Sequence, residues 1–177
     1  MAKWEEIATE VLLSPDPFIG MDSLSTLKAT EAGIKREYSE TLTKSIAKSL
    51  ALAGASDELV AEGTPVKNVV DRIVRRVLTE ANKDDSGKIW QSLSYVLPEL
   101  AEASPEVFQD AVEENLANPH QTLRYMFQDQ MTESPLNISS PHSGLLWSLE
   151  TLCWSPCSSE ARSIYCHRSQ PLILGED

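Results

Sequence analysis

Apolar residues recur along this chain at helical spacing, and the runs are separated by Ser, Pro, Gly and Asp. Trp4, Ile7, Ala8, Val11 and Leu12 form one stripe and predict a helix from about Ala2 to Leu13. The two prolines of Ser14-Pro15-Asp16-Pro17 stop it. Asp22 or Ser23 can cap a short helix through Thr30 that carries Leu24 and Leu27, closed by Gly33. Leu42, Ile46, Leu50 and Ala53 after Ser39 predict a longer helix with Gly54 as its C-cap, and Ser56 to Val60 can add a turn or short helix. Thr64-Pro65 reads as N-cap and first residue of the next helix. Its stripe is the widest in the chain: Val66, Val69, Val70, Ile73, Val74, Val77 and Leu78. β-branching disfavours a helix only slightly, and the run is too long for an ordinary strand.

After a polar loop, Asn82 to Gly87, the positions Ile89, Leu93, Val96, Leu97 and Leu100 define another helix, which Pro98 should kink or end early. Ser104-Pro105 restarts the pattern as N-cap and first residue of a helix carrying Phe108, Ala111, Val112 and Leu116. Asn118-Pro119-His120 interrupts it, and Leu123 to Phe127 suggests a short helix. A Pro/Ser/Asn-rich loop from Met131 to Ser143 follows. Leu145, Leu146, Leu149 and Leu152 then start a last helix, with Trp147 and Trp154 beside them and Ser143 as its cap. No segment alternates as a strand. Short connections between successive helices imply antiparallel neighbours, with Ile89–Ala101 and Pro105–Leu116 as one hairpin. The expectation is an all-α fold of seven or eight helices, either an irregular bundle or a short HEAT-like α-solenoid.

The pattern stops at Ser155-Pro156. This is the same start signal as Ser104-Pro105, yet Cys157 to Pro171 is rich in Ser, Cys and Arg and has no helical period. The domain organisation expected is therefore a helical domain, 1–155, and an aperiodic tail, 156–177, either disordered or read from a shifted frame.

Composition narrows the function classes. Net charge is −12 and pI about 4.7, so a broad basic surface for nucleic acid is disfavoured. Lys67, Arg72, Arg75 and Arg76 are a local exception, read as a solvated helix face toward acidic neighbours, with a phosphate-contacting or interaction patch as the alternative. Mean hydropathy is −0.25 and the apolar runs are far short of a bilayer span, so no membrane association is expected. No secretory leader is visible, which makes the cytoplasm the expected location. Three cysteines without a leader argue against a disulfide framework.

The chemistry-bearing clusters each have a plainer reading. Cys153, Cys157, Cys166 and His167 could ligate zinc, but adjacent Cys166 and His167 can hardly reach one ion, so no metal site is assigned. His142-Ser143-Gly144 lacks the strand and the G-x-S-x-G spacing of a nucleophile elbow, and His120 reads as a loop histidine. No phosphate-binding loop is present, so no cofactor is expected and no catalytic residue is assigned. Glu99, Glu102, Glu106, Asp110, Glu113 and Glu114 read as the acidic outer face of a hairpin, with docking of a basic partner as the alternative. The four tryptophans are expected to pack between helices. Exposure of Trp147 and Trp154, on a binding face or toward a neighbouring helix, is the alternative that would make them interaction residues.

Two stretches carry a resemblance. Arg36-Glu37-Tyr38-Ser39-Glu40-Thr41-Leu42 leading into Ala47 to Gly54, together with Ser140 to Pro156, resembles the helical region of large bacterial multidomain proteins of the STAND-type NTPase kind, including ones implicated in defence against phage. The resemblance covers about Met1 to Pro156. It implies a helical array used for sensing or scaffolding, with ATPase and effector parts elsewhere and no catalytic residue in this chain. The function expected is a non-catalytic interaction, sensor or scaffold fragment whose partner is another protein or the remainder of a larger chain. The alternatives are an enzyme fragment completed by further sequence and a small-ligand-binding bundle.

Overall fold

A computed structural model describes residues 1–56, 58–128 and 141–154, with the side chain of Trp154 excepted. The break at Ser155-Pro156, the tail beyond it and most of the 131–143 loop lie outside the described residues. The fold is all-α. Its helices are α1 (Ala2–Leu13), α2 (Ser23–Glu31), α3 (Glu40–Gly54), α4 (Val66–Lys83), α5 (Lys88–Leu93), α6 (Leu97–Ala103), α7 (Pro105–Ala117), a 3-10 helix (Thr122–Phe127) and α8 (Pro141–Trp154).

The helices form two layers. In one, α4 lies between α1 and α7; in the other, α6 lies between α3 and α8. Asp71 meets Ser104, Arg75 meets Asp110 and Asn82 meets Asn115, so α4 and α7 run parallel. Lys44 lies over Tyr95 just before α6, and Gly54 lies against Ala103 at its end, so α3 and α6 run parallel too. Parallel neighbours of this kind, with the chain crossing between layers, occur in irregular helical bundles and short α-solenoids alike. The expected hairpin of Ile89–Ala101 with Pro105–Leu116 is shortened to α6 against α7, which do contact one another. Pro98 ends the first helix early and splits it into α5 and α6. The two pieces then take separate neighbours, and α7 packs more extensively on α4 than on α6.

The core follows the widest stripe. Val69, Val70, Ile73, Val74, Val77, Leu78 and Ala81 of α4 are all buried. Each large side chain so buried stabilises the fold by ~1.5–3 kcal/mol, which makes α4 the axis on which both layers assemble. In α1 the buried face is rotated from the expected one. Thr9 is inside, its hydroxyl donating back to the Glu5 carbonyl at 2.7 Å, while Ile7 lies at the margin and is exposed.

Several caps depart from expectation. Val60-Ala61 and Thr64-Pro65 form a minimal antiparallel hairpin around Glu62-Gly63, both at positive φ. Strands of two residues are too short to alternate, so Thr64 pairs with Ala61 and α4 begins one residue later than expected, with Pro65 as its N-cap. Ser104 precedes α7, but its hydroxyl donates to Asp71 Oδ1 at 2.6 Å instead of capping. Ser143 lies inside α8, which starts at Pro141. Gly54 is the last residue of α3, at helical φ, and Ala55 is the C-cap. Asp84 secures the start of α5, accepting from Ser86 N, Ser86 Oγ and Ile89 N. Burial pushes its carboxyl up, but these hydrogen bonds outweigh burial and hold it below the usual aspartate range.

Candidate interaction surface

The 14–38 segment leaves the body after α1 and returns before α3, and its neck is fastened from both sides. Ser14 Oγ donates to Glu37 Oε2 at 3.3 Å, and Arg36 Nη2 pairs with Asp16 Oδ2 at 2.8 Å. Arg36 also reaches Glu40 at 3.1 Å and lies over the Phe18 ring. The hydrogen bond to Asp16 raises the guanidinium further above its ordinary value. Tyr38 donates to Glu10 at 2.6 Å, which pushes the phenol up to about 12. Asp16 N donates to Ser92 Oγ at 2.9 Å, tying the neck to α5.

A cleft lies here, lined by Ser14, Asp16, Arg36, Tyr38, Ser92 and Tyr95 among others, with room for little more than a water molecule (≈ 20 Å³). Its polar groups are engaged mainly with one another, so it behaves as a fastener. Replacing Arg36 by Ala is expected to speed backbone amide exchange across 17–35 while lowering global stability by only about 1 kcal/mol. Exchange mass spectrometry checks this, and an unchanged rate in that segment would contradict it.

The fastened segment carries α2, which is closed at both ends. Asp22 Oδ1 accepts from Ser25 N, and Ile34 N and Gly33 N bond back to Ala29 O and Thr30 O with Gly33 at φ +88. Within α2 only Ala29 is buried; Leu24 and Leu27 are exposed.

The basic residues of α4 lie on an exposed face against acids of neighbouring helices. Arg72 makes a two-pronged contact with Glu5, at 2.9 and 3.3 Å, and this hydrogen bonding lowers the Glu5 carboxyl below its usual range. Arg75 is 3.9 Å from Asp110, and the charge of Arg76 also acts on Glu5. Arg72 is thus held firmly by Glu5, while Arg75 and Asp110 form a longer, exposed pair.

The tryptophans divide. Trp90 is fully buried and donates to Asn82 Oδ1 at 3.1 Å, and Trp4 is half-buried against the core. Trp147 is 64% exposed and Leu146 49% exposed. Leu145, Ser148 and Leu152 fill the inner face of α8, and Gly144 sits against the carbonyl of Ser94. At 100° per residue, Leu146, Trp147 and Glu150 then fall on the outer side. The excess of apolar residues in this helix signals such a face, because one stripe cannot use them all. What the sequence pattern misses is its extension: the Phe127 ring stacks on His142 at 5.5 Å with planes 6° apart, and His142 and Leu146 are one turn apart. Phe127 is itself 53% exposed.

Among the described residues the remaining candidates do not assemble into a site. His142 is stacked on Phe127, Cys153 is exposed, and among the described residues no three His, Cys, Asp or Glu side chains converge. Cys157, Cys166, His167 and the side chain of Trp154 lie outside the described residues. Among the described residues no helix is long and apolar enough to cross a membrane. Compared with protein-family models, with curated proteins and with solved structures, the chain matches none.

Proposed function

We propose that this chain is a non-catalytic protein-interaction module, the scaffold or sensor portion of a larger bacterial helical-repeat protein. The observation that carries the proposal is the outer side of α8, where Trp147 and Leu146 meet solvent next to a filled interior. Burial of either would be favourable by ~1.5–3 kcal/mol, and clustered exposed apolar groups of this size mark binding faces. Tryptophan is also among the residues most enriched at interface hot spots. The resemblance to the helical region of STAND-type NTPase proteins fits the same reading, with any ATPase and effector chemistry carried by other parts.

The test compares the tagged wild-type chain with a Leu146→Ser, Trp147→Ser variant, both at native expression level. A protein recovered in stoichiometric amount with wild type, and lost with the variant while circular dichroism and melting stay unchanged, is the expected result. Recovery of the same proteins with both chains would overturn the reading.

A further inference from the structure

We infer that the outer ridge of α8 binds a basic amphipathic helix, an inference that rests on the interaction reading above. Three observations lead there. First, the ridge is apolar and continuous. Phe127 stacks on His142, Leu146 follows one turn along, and Trp147 lies beside it. Apolar groups spaced by helical turns are what a partner helix offers in return, at i, i+3, i+4 and i+7.

Second, the ridge continues an existing packing series. α6 is covered by α3 on one side and by α8 on the other, while α8 is covered on its α6 side. A helix laid along the outer side of α8, at the usual 8–10 Å spacing, extends the same layer by one member.

Third, the charge around it is mainly negative. Among the described residues, α8 and the two elements packed on it, α6 and the 3-10 helix, carry three carboxylates, Glu99, Glu102 and Glu150, against the single Arg124. Glu150 is exposed on the ridge itself, and Glu99 and Glu102 lie on the adjoining α6. A second copy of this chain presenting the same ridge would bring like charges together, whereas Lys or Arg flanking the apolar stripe of a partner helix would be steered in and held.

The probe is a fluorescein-labelled, 18-residue Leu/Lys amphipathic helix, read by anisotropy against the full chain. Two control peptides accompany it, one with Glu in place of Lys and one of the same composition with the apolar positions scrambled. The Leu/Lys peptide is expected to bind and both controls to bind far more weakly. Leu146→Ser with Trp147→Ser should weaken binding by about ten-fold or more, as loss of a hot spot does. Glu150→Lys, which leaves the apolar ridge whole, should weaken it by about five-fold. Circular dichroism establishes that the variants are folded, and Trp147→Phe, which keeps an aromatic ring, should bind close to wild type.

Equal binding of the Leu/Glu or scrambled peptide overturns the inference, as does a double variant that binds like wild type. Light scattering that shows a dimer abolished by the double variant also overturns it, with a second copy as the occupant. If the peptides fail while a protein sensitive to Leu146 and Trp147 is still recovered with the tagged chain, the basic-helix class falls and the interaction reading stands. If both fail, both fall.

Discussion

Replacing Gly54 or Gly144 by alanine should destabilise the protein by about 2–3 kcal/mol each, although alanine is the better helix former by ~1 kcal/mol. Gly54 abuts the end of α6, and Gly144 abuts the turn that leads into it. A Cβ on Gly54 would be driven into the backbone carbonyl of Ala103, and a Cβ on Gly144 into that of Ser94. Neither obstacle is the movable end of a side chain. The methyl group can be accommodated only by moving α3 or α8 away from α6, which loosens the buried rows on both helices. Urea denaturation checks this: the midpoint should fall with the slope unchanged. A midpoint at or above wild type for both variants would show that the helices shift at no cost.

Asn82→Ala should be more damaging, by about 3–5 kcal/mol, because it removes three buried hydrogen bonds at once and leaves Trp90 Nε1 without its acceptor. Asn82 Nδ2 donates to the Ala111 carbonyl at 2.9 Å, and its Oδ1 accepts from Trp90 Nε1 at 3.1 Å and from Asn115 Nδ2 at 2.8 Å. Asn115 in turn donates to Thr122 Oγ1 at 2.7 Å and accepts from Leu123 N at 3.1 Å. This network joins the ends of α4 and α7 to α5 and the 3-10 helix, and every member is satisfied. Removing Asn115 as well should then cost much less than its own single variant predicts, since the two share one network. Chemical denaturation of the two single variants and the double variant measures that coupling, and strict additivity would contradict it. The near-ultraviolet dichroism of Trp90 should weaken in either single variant.

Helix existence was legible in the sequence because burial imposes a period. The stripe of α4 could be read residue by residue, and Asp22, Ser39 and Pro98 marked ends that the chain uses. What escaped was what period cannot encode. Asn82 reads as the first residue of a polar loop, yet it lies in the last turn of α4 and is buried, because its partners come from positions 90, 111 and 115. Ser104 carries the signature of a cap, but a carboxylate from α4 competes for its hydroxyl. Gly54 looks like a helix terminator, whereas the packed interior uses its missing side chain. For the candidate surface, packing between helices was the expectation for all four tryptophans, and the exposure of Trp147 was its alternative. The stacking of Phe127 on His142 depends on two segments brought together in space. The pairing of Arg72 and Arg75 with Glu5 and Asp110 was foreshadowed by charge balance alone.

The neck at Ser14 and Glu37 has a consequence for modularity. Because the chain departs and returns at nearly one point, the length enclosed between them is decoupled from the register of the layers. The α2 segment can be lengthened, shortened or exchanged without asking α1 or α3 to move. Among the described residues, α2 is thus an attachment whose length the packing of the two layers does not dictate.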